Sequence, residues 1–139
     1  MTTTNANANA NANATATATA DTAADTAAVL RYYDLVDAGD VPGLVDLFTP
    51  EATYRRPGYE PIVGHAELER FYREQRVIRE GKHTVCTVVA QGDQIAVHGE
   101  FAGELVDGRT VHLRFADFFV MAPGGRFARR DTFFFAPLV

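Results

Sequence analysis

The stretch HTVCTVVAQGDQIAVHGEFAGELVDGRTVHLRFADFFVMAPGGRFARRDTFFF, residues 83–135, decides the fold. Apolar and polar residues alternate along it with a period of two, the pattern of strands that bury one face. Three interruptions, QGDQ, DGR and PGGR, carry the glycine, aspartate and proline chemistry of tight turns. The pattern predicts four strands at about residues 83–90, 94–106, 109–121 and 126–135, joined as an antiparallel meander.

Upstream the period changes to that of helices. Asp25 is placed to cap a helix running to Ala38, with Ala28, Tyr32, Leu35 and Val36 on one face and Val29 and Tyr33 at its border. Gly39 ends it. Asp40 caps a second, short helix with Pro42 in its first turn and Leu44, Leu47 and Phe48 inward. EATYRRP, residues 51–57, reads as a strand. GHAELERFYREQRVIRE, residues 64–80, reads as a third helix with Leu68, Phe71, Tyr72 and Ile78 inward. Its pairs Glu69–Arg73, Arg70–Glu74 and Arg76–Glu80 have the i,i+4 spacing of a solvated face. Helices followed by a long meander define an α+β class. We expect three N-terminal helices packed on a strongly curved, mainly antiparallel sheet, a cone enclosing an apolar pocket. Residues 1–20, MTTTNANANANANATATATA, offer nothing large to bury and predict a disordered tail. A single domain over 21–139 remains.

Composition removes several classes of function. Hydrophobic content of 47% with 22% charged residues fits a soluble globular chain. A net charge of −5 without a basic stripe argues against nucleic acid as a partner. The lone Cys86 excludes an internal disulfide and reads as a small hydrophobe within a strand. The four histidines have neither His-x-His nor His-Glu-x-x-His spacing, so no metal site is expected. No segment has the length of a membrane span, and the N-terminus lacks the basic start and apolar core of a secretion signal. These features predict a cytoplasmic protein that does not use a membrane.

One polar residue stands among apolar ones. By strand alternation Asp117 shares its face with Leu113, Phe115, Phe119 and Met121. Two readings stay open: a structural acceptor paired with an inward arginine, or a functional acid or base. Tyr54 shares the face of Arg56, with Arg55 directed away. On the last strand, Arg130 alternates with Thr132 and Phe134 toward the cavity, leaving Arg129 and Asp131 outside. His98 shares a more solvated strand face with Glu100 and Glu104. His65 opens the third helix, His83 opens a strand, and His112 faces opposite to Asp117.

The segments RYYDLVDAGDVPGLVDLFTPEATYRRP, GHAELERFY, DGRTVHLRFADFF and GGRFARRDTFF resemble the ketosteroid isomerase and SnoaL-like branch of the nuclear transport factor 2 superfamily, over residues 26–135. This resemblance implies an NTF2-like cone. It puts the oxyanion-hole tyrosine at Tyr32, a supporting tyrosine at Tyr72 and a protonated aspartic acid at Asp117. The position of the general base falls on Arg56. A guanidinium keeps its proton at neutral pH, so the steroid enzyme's route is not expected. The implied function is a cofactor-independent cyclase or isomerase of secondary metabolism, such as antibiotic biosynthesis, on an apolar polyketide-like substrate. Asp117, Tyr32, Arg56 and Tyr72 would be its catalytic residues. Tyr54, Leu113, Phe115, Phe119, Met121, Arg130 and Phe134 would line the substrate. Epoxide opening is a variant that lacks a second carboxylate on the same face. A non-catalytic binding module is the other class. A homodimer is expected through the outer sheet face, with Phe118, Phe133 and Phe135 as contacts.

Overall fold

The computed structural model describes the backbone of residues 3–135 and the side chains of residues 21–135. The tail expected over residues 1–20 lies outside the residues described in full. Three helices, α1 (Thr3–Ala38), α2 (Val41–Asp46) and α3 (Gly64–Arg70), pack on a six-stranded sheet. The strands are β1 (Phe48–Arg55), β2 (Ile62–Val63), β3 (Ile78–Gln91), β4 (Gln94–Leu105), β5 (Thr110–Met121) and β6 (Phe127–Phe134). Their order is β2-β1-β6-β5-β4-β3, so the sheet is open, with β2 and β3 at its edges. No helix among the described residues is long and apolar enough to cross a membrane.

The α+β expectation and the four-strand meander hold. β3 to β6 pair antiparallel in chain order. The sheet is extended by a pairing that local patterning does not encode: β1 joins β6 in parallel, with Tyr54 opposite Arg130 and Arg55 opposite Asp131. Register irregularities between Val85 and Thr87, and between Val120 and Met121, add local bending of the kind bulges give. The concave face is filled by Val29, Leu44, Phe48, Leu68, Phe71, Ile95, Val97, Phe119 and Phe127. Each such buried aliphatic or aromatic side chain is worth about 1.5–3 kcal/mol.

Several local expectations are corrected. Asp25 is not a cap, because α1 is already helical before it and the first turn lies elsewhere. Asp40 does cap α2, accepting from the Gly43 N–H at 3.0 Å. Gly39 closes α1 at φ 73°, a conformation glycine adopts without steric cost. Phe48 begins β1 rather than completing α2. The third helix stops well short of residue 80. After Arg70 the chain makes a π-helical turn, Phe71–Gln75, in which the Arg76 N–H reaches the Phe71 carbonyl at 2.8 Å. Ile78 therefore opens β3, opposite Leu105, and Arg76–Glu80 is not a helical pair. Of the three expected pairs, Glu69–Arg73 forms, at 2.9 Å. Cys86 is exposed rather than packed: it lies where the β3 register slips, and Cys86 and Thr87 are both exposed, breaking the alternation.

Glycine shapes the wall of the cone at β3 and β4. A Cβ on Gly81 would meet the Phe101 ring at 2.2 Å, and one on Gly103 would meet it at 2.6 Å. The two glycines leave the space that lets Phe101 lie inward along the sheet.

Candidate active site

α1 packs against β3 and delivers two consecutive tyrosines into the interior. Neighbours on a helix are about 100° apart, so both can be buried only where the helix sits in a concavity. Tyr32 and Tyr33 are both buried, with ring centroids 5.3 Å apart. The π-helical turn widens the last coil of α3 and brings Tyr72 beside them. β5 and β6 supply Asp117, Arg130 and Thr132 from adjacent registers.

These side chains form one buried network. Asp117 is 0% exposed and has both carboxylate oxygens committed. Its Oδ2 accepts from the Tyr33 hydroxyl at 2.5 Å and from Arg130 Nη2 at 2.9 Å. Its Oδ1 accepts from the Thr132 hydroxyl. Arg130 is 5% exposed, and its Nη1 donates to Tyr32 at 2.5 Å and to Tyr72 at 3.3 Å. The Tyr32 and Tyr72 hydroxyls hydrogen-bond each other. Whichever donates, one phenolic O–H of the pair is left for a ligand oxygen. The Arg130 guanidinium lies 4.5 Å from the ring centroids of both Tyr32 and Tyr54. A second guanidinium enters from the end of β1. Arg56 Nη1 donates to the Tyr54 hydroxyl at 3.2 Å, and the group lies 5.0 Å from the Phe71 ring centroid and 5.5 Å from that of Phe134. Arg55 points to the opposite face and pairs with Asp131 through two bonds of 2.7 Å, holding that carboxyl below its usual range. The side assignment of Arg55 and Arg56 thus follows the alternation.

Burial sets the protonation of the network. Desolvation pushes Tyr32 well above the usual phenol range, although Arg130 pulls it down. Burial and then the Asp117 charge push Tyr33 up, and burial does the same for Tyr72. Burial would lower Arg130, but Asp117 and then the surrounding phenols outweigh it and hold the group charged. At neutral pH the three tyrosines are therefore donors and Arg130 a cation. Since their phenolic pKa values are higher folded than unfolded, the fold is favoured fully below the unfolded value near 10.0 and loses that contribution as pH rises above it. We expect stability in urea to fall steeply above about pH 10. Ultraviolet titration should find the phenols of Tyr32, Tyr33 and Tyr72 ionising only with unfolding. Ionisation of all five tyrosines near pH 10 in folded protein would contradict the burial described.

The cavity wall differs in part from the expected one. Tyr32, Tyr54, Arg56, Tyr72, Leu113, Phe115, Arg130 and Phe134 line an inner space of about 30 Å³, together with Thr132, His83 and Phe101. That is room for about two water molecules. Phe119 and Met121 do not line it; they are buried in the core beneath the network. Asp117 does not line it either, being walled off by its own three donors. An outer recess of about 330 Å³ shares Val36, Tyr72, Arg76, Ile78 and Phe101 with the inner space. These side chains form the partition between the two. Sequence reasoning did not single out Tyr33, Thr132 or His83 as site residues. The signal for Tyr33 is the doublet YY on a helix that packs on a curved sheet; for Thr132 it is alternation with Arg130.

The fold and this buried polar network define an NTF2-like protein with a cation-rich, aromatic cavity. A sequence model of the SnoaL-like domain matches residues 29–130. The chain belongs to the SnoaL-like family. An NTF2-like protein of unknown function from Burkholderia pseudomallei superposes with a TM-score of 0.73 at 22% identity, over 80% of this chain and 90% of that one. SalBIII, an epoxide hydrolase/cyclase-like enzyme of pyran ring formation in the polyether salinomycin, superposes with a TM-score of 0.70 at 21% identity, over 79% and 89%. These likenesses establish the fold. The orange carotenoid-binding protein of Synechocystis is 41% identical over 49 residues, 35% of this chain and 16% of that protein's length. Among the described residues no cluster of His, Cys, Asp and Glu is arranged to hold a metal ion.

Proposed function

We propose that the protein is a cofactor-independent cyclase or isomerase of secondary metabolism, acting on an apolar, polyketide-like substrate by binding a developing oxyanion. One observation carries this reading. Arg56 Nε and Arg130 Nε are buried donors without a partner among the described residues, and both arginines line the inner space together with the Tyr32–Tyr72 pair and its unspent hydroxyl. An unsatisfied buried donor costs about 1–3 kcal/mol. Two of them on cations, in an aromatic cavity, suit an acceptor that arrives with the ligand: a carbonyl, enolate or carboxylate oxygen on an apolar body. Donors aimed at developing negative charge lower a barrier because they need no reorganisation. The inner space admits the oxygen end of a ligand, and the outer recess has the volume of a small-molecule site. Closing a flexible chain into a ring gains further from being held in its reactive shape. In this reading Asp117 acts through Arg130, fixing its position and charge, rather than on the substrate.

The test is turnover by purified protein of a linear, ring-closable polyketide-type ketone, followed by mass spectrometry. Cyclised or isomerised product is the expected result. Retention of the ligand without product would favour the second reading, a non-catalytic binding module. The local identity with a carotenoid-binding protein speaks for that alternative.

The proposal includes a homodimer through the outer face of the sheet. Phe118 and Phe133, 48% and 56% exposed, stand edge to face there at 5.8 Å, and Phe135 extends the patch. A dimer mass by light scattering at micromolar concentration is expected, with a monomer for Phe118→Asp/Phe133→Asp. A monomeric wild type would refute it.

A further inference from the structure

We infer that His83, oriented by Asp37, is the proton-abstracting group of this cavity. The inference rests on reading the cavity as a reaction site. The position where the resemblance sets a base holds Arg56, and Asp117 has its oxygens committed and no cavity face. Neither can take a proton from a substrate carbon. His83 can.

Its ring projects from β3 into the cavity wall. It packs on Phe101 at 4.7 Å, Tyr33 at 5.2 Å and Phe115 at 5.4 Å between centroids. Asp37, in the last turn of α1, grips it at two points. One carboxylate oxygen lies 2.6 Å from His83 Nδ1, and the other accepts the His83 backbone N–H at 2.8 Å. A carboxylate held in this way keeps the proton on Nδ1 and leaves the Nε2 lone pair free; it also stabilises the imidazolium that forms. Nε2 has no partner among the described residues, and His83 lines the inner space. A simple tether between α1 and β3 would not need the cavity position.

The step balances within the site. Nε2 removes a proton from carbon next to a carbonyl, and the C–H electron pair becomes an enolate. The enolate oxygen is met by Arg56, Arg130 and the unspent phenol. Where the substrate is a β,γ-unsaturated ketone the anion is a dienolate, and the imidazolium returns its proton to the γ-carbon as the double bond moves into conjugation, which is isomerisation. Alternatively the enolate carbon attacks a second carbonyl, whose oxygen takes that proton, which is ring closure. The charged and titratable groups that pack on His83 or share its cavity are Tyr32, Tyr33 and Asp37 from α1, Tyr54 from β1, Arg56 just past it, Tyr72 and Arg76 from the turn after α3, and Arg130 from β6. The surrounding cations favour the enolate.

The probe for proton abstraction is 5-nitrobenzisoxazole. A base takes its ring C–H proton, the freed electrons form the nitrile, and the N–O bond breaks to leave a coloured phenolate. The wild type is expected to open it at least thirtyfold faster than His83→Gln. Asp37→Asn should lose about tenfold, and His112→Gln, on the outer face, should match wild type. A wild-type rate no greater than that of His83→Gln overturns the proposal. Nitrogen-15 spectra of wild-type imidazoles give a check that needs no variant. Neutral His83 should carry its proton on Nδ1, and a proton on Nε2 overturns the proposal. Binding of 4-nitrophenol by the wild type reports on the cavity separately. Its absence would sink the oxyanion reading, whereas its presence with elimination insensitive to His83 would sink this inference alone.

Discussion

Asp117→Ala is expected to cost about 3–5 kcal/mol of folding stability, the largest effect of any single substitution at the site. The aspartate is 0% exposed and Arg130 is 5% exposed, so removing the carboxylate leaves a guanidinium stranded out of water. The Tyr33 and Thr132 hydroxyls lose their acceptor at the same time. A typical domain has about 5–15 kcal/mol in total, so the variant should lie near the limit of folding. The stabilisation removed is that of a partner for a buried cation, not the net value of the ion pair. Replacing both members with apolar residues of similar size, Asp117→Leu with Arg130→Met, should therefore recover much of the loss. Urea unfolding of the two single variants and the double variant measures this directly. A cost below about 1 kcal/mol for Asp117→Ala would mean that Arg130 finds another partner or reaches solvent.

Tyr32→Phe is expected to lower turnover of a ring-closable ketone by about a hundredfold to a thousandfold, with little change in apparent substrate affinity. The hydroxyl links Arg130 to Tyr72, so its loss removes one donor and disorders a second. Phenylalanine keeps the ring and its packing on Phe48 and Phe119, so the variant should stay folded, with a loss of stability no larger than about 1–3 kcal/mol, that of one unpaired Arg130 donor. Full turnover by Tyr32→Phe would place the chemistry elsewhere in the cone.

Much of this architecture is legible in the chain because it is local. The period of two, DGR, PGGR and the capping of α2 by Asp40 each report their element within a few residues. The inward set of β5 and the opposed directions of Arg55 and Arg56 follow from alternation alone. What was not legible depends on distant partners. The π-helical turn at Phe71–Gln75 has ordinary helix-forming residues, and is visible only once Tyr72 is seen turned toward Arg130. The parallel pairing of β1 with β6 joins segments some 75 residues apart. Asp117 was recognisable as a buried acid, yet its enclosure depends on Tyr33 from α1 and Thr132 from β6. His83 and Asp37 meet across 46 residues, and neither lies in a recognisable motif.

Carried over unchanged, the resemblance to ketosteroid isomerases implies a carboxylate base at the position of Arg56 and a neutral acid at Asp117. Arg56 at the base position and Arg130 against Asp117 turn a neutral acid and a carboxylate base into two fixed cations and an enclosed counter-ion. Such a site favours an oxygen that is negative, or becoming so, on an otherwise apolar molecule.

In the proposed site this oxygen binds between Arg56, Arg130 and the Tyr32–Tyr72 pair. A crystal structure of the protein with 4-nitrophenol tests it most directly. The phenol oxygen is expected within hydrogen-bond distance of an Arg56 or Arg130 nitrogen and of the Tyr32 or Tyr72 hydroxyl, with the ring extending toward the partition at Phe101. A phenol bound only in the outer recess, with its oxygen away from both arginines, would contradict it.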